Sequence, residues 1–276
     1  MGVRYTTAIT AIALGALSLV ALSLGGCDHK PKPQAANDGK PPATVAPLVF
    51  SKTDADAAVT LSLPEPIKLY PELHSRLYGE GEKQLTDFLA DAHKDRAQQS
   101  ADGIEVPAYS HTIEWKISAQ TPKLVSVFAQ EDDFRGGAHP NSTFQAVLWD
   151  KAKKQQIPAT ALFTAGADMK VVDAYVCHQI EAQRSKRLGE PTTQAASGFS
   201  CPSFLQSRLI LVPSTVKDHA GAIDVLFAPY EVGPYVEGPY EIRVPQGQLK
   251  GVLAAEYADQ FAGDPGKDNA LPDFDQ

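Results

Sequence analysis

Two short segments hold most of the side chains in this sequence that are able to do chemistry. Arg135-Gly136-Gly137-Ala138-His139-Pro140-Asn141 gathers a guanidinium, an imidazole and a carboxamide around a pair of glycines. Tyr230-Glu231-Val232-Gly233-Pro234-Tyr235-Val236-Glu237-Gly238 sets tyrosines and acids among turn residues. Arg135, His139 and Asn141 supply hydrogen-bond donors for a polar ligand, and Tyr230 and Tyr235 supply flat amphipathic faces. Glycine and proline fix the backbone of both segments, and fixed loops bind at lower entropic cost than floppy ones. A plainer reading stands beside this one. Gly136-Gly137 suits a hairpin turn or bulge, and His139, held extended by Pro140, then only bonds backbone at that turn. Gly233-Pro234-Tyr235 recurs as Gly238-Pro239-Tyr240, so these tyrosines either pack a sheet edge or face sugars and protein partners. Nothing local brings the two segments together, so their adjacency is an expectation for the structure to decide.

Catalytic patterns are scarce. Asp132-Asp133, or Glu231 with Glu237, would serve as an acid/base couple, although a solvated acidic surface explains them equally well. The sequence has no HExxH and no nucleophile elbow, and Gly79-Glu80-Gly81 lacks the third glycine of a dinucleotide turn. No metal and no cofactor are expected. With 33 acidic against 25 basic residues and a net charge of −8, the chain is a poor partner for nucleic acid.

The amino-terminal residues speak to location. A single charge, Arg4, precedes an uncharged run from Tyr5 to Leu24, which closes on Leu24-Gly25-Gly26-Cys27. The pattern is a basic, then apolar, then small-residue leader, and it resembles a bacterial lipobox. That resemblance implies a signal peptide over residues 1–27, lipidation of the Cys27 thiol, and a protein held by its acyl chains to an envelope membrane facing the periplasm. Asp28 resembles an inner-membrane retention signal of enteric sorting. An uncleaved membrane-spanning helix is the alternative, since the run reaches the edge of the length required. Export also bears on the two remaining cysteines, Cys177 and Cys201. An even pair in an oxidising compartment predicts one disulfide; two buried free thiols are the alternative. They lie far apart, with no CxxC spacing and only His178 beside one of them, which argues against a metal site.

The elements that must position these residues follow from periodicity. Residues 28–49, with Pro31, Pro33, Pro41, Pro42 and Pro47, read as an extended tether. Order is expected to begin near Phe50. Ala57–Leu63 reads as a strand and Ile67–Tyr70 as a second short one. Pro71 fits the first turn of a helix, whose apolar stripe is Leu85, Phe88, Leu89 and Ala92. Gly79 and Gly81 are expected to break or fray it. Thr112–Ile117, Leu124–Ala129 and Thr143–Trp149 form an antiparallel meander. A second helix carries Met169, Val172, Val176 and Ile180 on one face. Leu209–Val212, Ile223–Phe227 and Tyr240–Val244 are further strands, and a short helix is expected from Gln246 to Tyr257. The result is an α+β domain over residues 50–260, with a mostly antiparallel sheet and two main packed helices. The acidic tail, 261–276, is expected to be disordered.

Taken in order, Ile67–Leu73, the Gly136-Gly137-Ala138-His139 block, Trp149-Asp150, Ala161-Leu162-Phe163 and the Tyr230–Gly238 block resemble one family domain. It is the domain shared by RsiV-type anti-sigma-factor ectodomains and the accessory part of the peptidoglycan deacetylase PdaC, and the resemblance covers roughly residues 55–258. It implies an α+β domain displayed at the cell envelope that recognises peptidoglycan or a peptidoglycan-cleaving protein such as lysozyme. The alternative is an accessory or hydrolytic peptidoglycan enzyme using His139 and nearby carboxylates. Two departures matter. No sigma-binding segment is expected ahead of the leader, so an anti-sigma role is not expected, and no two histidines stand at the i, i+4 spacing that the deacetylase metal site requires.

Overall fold

The chain alternates apolar and polar residues in short runs, and most of these runs become strands of two sheets. A computed structural model describes residues 45–271. The leader, Cys27, the tether up to residue 44 and residues 272–276 lie outside the described residues. β1 (Val49–Thr53) and β2 (Ala57–Ser62) form an antiparallel hairpin. Its turn is set by Asp54, whose Oδ1 accepts the amides of Asp56 (2.8 Å) and Ala57 (2.9 Å). α1 (Pro71–Ala101) crosses over from β2 to β3 (Tyr109–Gln120), which lies parallel to β2. A parallel pair needs such a crossover, and a 31-residue helix supplies it. β4 (Leu124–Phe134), β5 (Asn141–Asp150) and β6 (Gln155–Ile157) extend the sheet as antiparallel strands, in the spatial order β1-β2-β3-β4-β5-β6. α2 (Lys170–Leu188) and the four-residue α3 (Gln194–Ser197) lead to a second sheet of β7 (Arg208–Pro213), β8 (Ala220–Phe227) and β9 (Tyr240–Pro245), antiparallel throughout.

Packing follows the period of two along each strand. Val125, Val127 and Ala129 of β4 share a cluster with Leu77, Leu85, Phe88 and Leu89 of α1. On the opposite face, Phe128 and Phe144 pack with Ile210 and Leu226 of the second sheet. The far side of that sheet, through Val225, Phe227 and Ile242, meets Val172, Val176 and Ile180 of α2. The layers therefore run helix, sheet, sheet, helix. β8 is buried along its whole length, as expected of a strand covered on both faces. The amide of Leu211 donates to Ser126 Oγ at 3.0 Å and stitches the sheets together.

The α+β class, the mostly antiparallel sheet and the two main helices match the expectation. Five local expectations are corrected. Ile67–Tyr70 is not a strand: Pro64 and Pro66 hold a 3-10 turn over Glu65–Leu69 that buries Ile67. Gly79 and Gly81 do not break α1. Gly81 is buried where the helix meets β2, and a Cβ there would lie 2.9 Å from Leu61 Cδ2. The Gln246–Tyr257 helix is replaced by 3-10 turns at Gln246–Leu249 and Ala258–Gln260, divided by Gly251 at φ +85°. The tail is not disordered where it is described. Its amides at Ala270 and Leu271 donate to Glu241, and Leu271 is buried. Order also starts earlier than residue 50, since His74 Nε2 donates to the carbonyl of Pro47 at 2.9 Å. No helix among the described residues is long and apolar enough to cross a membrane.

Candidate functional site

The loop Arg135–Pro140 joins β4 to β5 beyond their last paired residues, Asp133 and Asn141. Gly136 turns this loop at φ +84°, a conformation that favours glycine. The loop presents its side chains in two directions. Arg135 points back to α1, with its guanidinium 4.5 Å from the centre of the Phe88 ring and Nε 3.4 Å from Asp133. His139 points the other way. Its ring stacks on Tyr235 with centroids 3.6 Å apart and planes 18° from parallel. Its Nδ1 lies 2.8 Å from the carbonyl oxygen of Pro140. A carbonyl only accepts, so Nδ1 carries a hydrogen and a neutral ring leaves Nε2 as the acceptor. The Tyr235 hydroxyl donates to the same carbonyl at 3.1 Å. Tyr230 completes the group, its ring 5.6 Å from that of Tyr235.

The Tyr230–Gly238 segment joins β8 to β9 and is held from below. Tyr230 adopts φ +74°, and its amide donates to Gly233 O at 3.0 Å to close a tight turn. Such a conformation is strained for a tyrosine and persists where its surroundings enforce it. The Glu237 side chain is only 6% exposed, and its carboxylate takes Nε (3.1 Å) and Nη2 (2.8 Å) of Arg184 and the hydroxyl of Tyr240. Arg187 Nη1 caps the carbonyls of Glu237 (2.6 Å) and Pro239 (3.0 Å). Burial, then the Glu237 hydrogen bond, drives the Tyr240 hydroxyl well above the usual phenol range. Gly233 sits so close that a Cβ would lie 2.5 Å from Glu237 Oε2. The ring of Tyr235 also forms one wall of a groove of about 430 Å³, with Phe144, Pro229, Val236 and Leu271 beside it and Gln130 and Ser142 contributing polar atoms. Tyr230 is 56% exposed and Val236 90%, so the surface is amphipathic and open.

Of the residues singled out in the sequence, the structure thus brings His139, Tyr230 and Tyr235 together. Gly136 and Gly137 shape the loop, Asn141 is exposed at the start of β5, and Arg135 is turned away toward α1. The suggested acid couples have other partners. Glu237 is tied to Arg184, Glu231 pairs with Arg208 and accepts the Ala228 amide at 2.9 Å, and Asp133 pairs with Arg135. Asp132 accepts from Ser142 Oγ and from Gln130 Nε2. Glu237 is also no solvated surface acid, contrary to the plainer reading. On the α1 side of β4, buried Glu131 is pulled up by burial. Hydrogen bonds from His111, Gln145 and Gln84 outweigh that and hold it below the usual carboxylate range. Sequence reasoning missed Phe144, Val236, Leu271 and Arg184; only the 90% exposure of Val236 marks it as unusual. Cys177 and Cys201 form the expected disulfide, with Cα atoms 5.2 Å apart. Among the described residues Asp54, Asp56 and His93 converge as metal ligands would. His93 already bonds Asp54 at 2.8 Å and Arg96 bonds Asp56 at 3.0 Å.

A helix–sheet–sheet–helix α+β domain with an aromatic surface at one sheet junction is the class these features define. Comparison with known proteins agrees with it: residues 51–142 match the family model described as deacetylase PdaC. A crystal structure of a DUF3298 family member from Bacteroides fragilis shares the fold, with a TM-score of 0.56, 15% identity, and coverage of 77% of this chain and 94% of that one. A DUF3298 protein from Pseudomonas aeruginosa aligns at a TM-score of 0.46 and 15% identity, over 81% of this chain and 99% of that one. Immunogenic protein MPT64 of Mycobacterium tuberculosis and its counterpart MPB64 of Mycobacterium bovis are 26% identical over 119 residues, 43% of this chain. The match spans 47% of those relatives, about half their length. Residues 51–142 are thus similar to the PdaC family domain, and the fold is shared with the DUF3298 structure.

Proposed function

We propose that this protein is a lipid-anchored binding domain of the bacterial cell envelope, and that its His139–Tyr235–Tyr230 surface recognises peptidoglycan or a peptidoglycan-cleaving protein such as lysozyme. One observation carries the reading. Two segments that are remote in sequence converge so that His139 stacks on Tyr235 at 3.6 Å beside an open groove. Exposed rings on a fixed backbone suit both the apolar faces of sugars and the aromatic contacts of protein partners. The groove adds Gln130 and Ser142, polar groups able to orient a ligand. The lipobox-like leader and the PdaC-like domain support an envelope location. The activity in the name of the matched family is not part of this reading, because the carboxylates around the aromatic surface are engaged in ion pairs and hydrogen bonds.

Sedimentation with insoluble peptidoglycan, and calorimetric titration with lysozyme, test the proposal. Tyr235→Ala and His139→Ala should each weaken binding about tenfold or more, as hot-spot truncations do. Loss of the ring stack should cost only about 1 kcal/mol of stability. Wild-type affinity in both folded variants would place the site elsewhere. Turnover of cell-wall fragments by the purified domain would favour the enzymatic alternative instead.

A further inference from the structure

The disulfide lies beside a recess of about 450 Å³ lined by Cys177, Cys201, Asp173, His178, Glu181 and Pro202. Cys177 is buried on α2, whereas Cys201 is exposed. A thiol therefore has both space and a sulfur atom to reach. The bond also ties the connection 189–203 back onto α2 at Cys201, and that connection reaches the Tyr230–Gly238 segment through one buried side chain. Gln194, 1% exposed, donates its amide N–H to Glu181 Oε1 at 2.9 Å and its Nε2 to the carbonyl of Val232 at 3.1 Å. Its Oε1 accepts from Arg184 Nη1 at 3.2 Å. Val232 lies between Tyr230 and Tyr235, and Arg184 holds Glu237. Phe199 of the same loop covers the Arg184 guanidinium at 5.2 Å. Contacts thus run from the connection that Cys201 tethers to α2 to the segment that carries both tyrosines.

We propose that Cys177–Cys201 is a thiol-exchange site whose opening loosens the aromatic surface. The proposal rests on the recognition role given above for what the loosening would affect. The reactant is a small dithiol. Its thiolate attacks Cys201 Sγ, the S–S bond breaks, and Cys177 leaves as a thiolate that takes a proton from water. A mixed disulfide now joins the reagent to Cys201. The second thiol of the reagent closes on the first and releases the Cys201 thiol. One disulfide has been reduced to two thiols and one dithiol oxidised to its disulfide. Without the closure, loop 189–203 gains conformational freedom, and Gln194 no longer holds Val232 and Arg184 in place.

Hydrogen–deuterium exchange on the full chain with and without dithiothreitol tests this, alongside a count of free thiols. Two thiols should appear in the folded protein. Exchange should rise about tenfold or more in residues 189–203 and 230–238, as for local opening, with α1 and β3–β5 unchanged. Gln194→Ala with the disulfide intact should reproduce the change in 230–238 alone, and Cys201→Ser should match the reduced protein. An unchanged 230–238 segment after reduction overturns the coupling, as does a disulfide that opens only when the whole domain unfolds. Peptidoglycan and lysozyme binding are measured separately on both forms. If exchange changes as expected while neither form binds, the recognition role fails and the thiol-exchange coupling stands.

Discussion

Gly79 and Gly81 stand two residues apart on α1 and face opposite circumstances. Gly79 looks into open space, whereas Gly81 lies against the methyl groups of Leu61, which is fully buried. Helix propensity alone favours alanine over glycine by about 0.5–1 kcal/mol at either position. Gly79→Ala should therefore raise stability by up to about that amount. Gly81→Ala should lower it by about 1–3 kcal/mol, because a methyl group forced into a packed contact displaces side chains or backbone. Urea unfolding midpoints compare the two directly, and a Gly81→Ala protein as stable as the wild type would refute the close approach. Both glycines carry the same letter, and only their neighbours across the helix–sheet interface tell them apart. Arg135 teaches the same lesson: its sequence position suits a ligand donor, yet the Phe88 ring and Asp133 claim it.

The strand β9 and the chain after residue 263 form a titratable unit. Glu241 accepts the amides of Ala270 (2.8 Å) and Leu271 (2.9 Å), and Arg243 donates to the carbonyls of Gly266 (2.7 Å) and Asp268 (2.8 Å). Asp224 of β8 shares the cluster and takes Nε and Nη2 of Arg243 at 3.0 and 2.8 Å. Burial first, and the neighbouring Asp224 second, push the Glu241 carboxyl up to about 8. The folded protein thus keeps a proton that the unfolded chain releases near its ordinary value of about 4.3. The stability linked to that proton is complete below the unfolded value and falls as pH rises to about 8. Urea unfolding of the wild type between pH 5 and 9 should show the decline, and Glu241→Gln should flatten it. Parallel profiles for the two proteins would rule out the buried carboxyl pair. Because Leu271 lines the groove, this unit also shapes the candidate site, which an unpatterned acidic stretch does not announce.

For the molecule as a whole, the four-layer packing places the aromatic surface where the end of the first sheet meets the β8–β9 connection. Cys27→Ala should shift the protein out of the membrane fraction and abolish acyl labelling, since a lipid on that thiol is the attachment proposed. Acyl labelling that survives the substitution would refute the lipobox reading.

Strands and helices with a clear period were readable in the sequence because burying one face imposes that period on side chains. Ala57–Ser62, the β3–β5 meander, the Leu85–Ala92 stripe and the Val172–Ile180 stripe all show it. The pairing of Cys177 with Cys201 was legible from their number and from the signs of export. Contacts between distant segments were not, because they depend on how layers stack. Pro64 and Pro66 turned an alternating Ile67–Tyr70 into a 3-10 turn, and the close contact of Gly81 with Leu61 exists only once α1 lies on β2. In the same way Tyr235 meets His139 only because β4–β5 and β8–β9 belong to two sheets packed face to face. The residue types able to recognise a ligand were set by the sequence; their assembly into one surface was decided by tertiary packing, which alone brings two remote turns to the same edge.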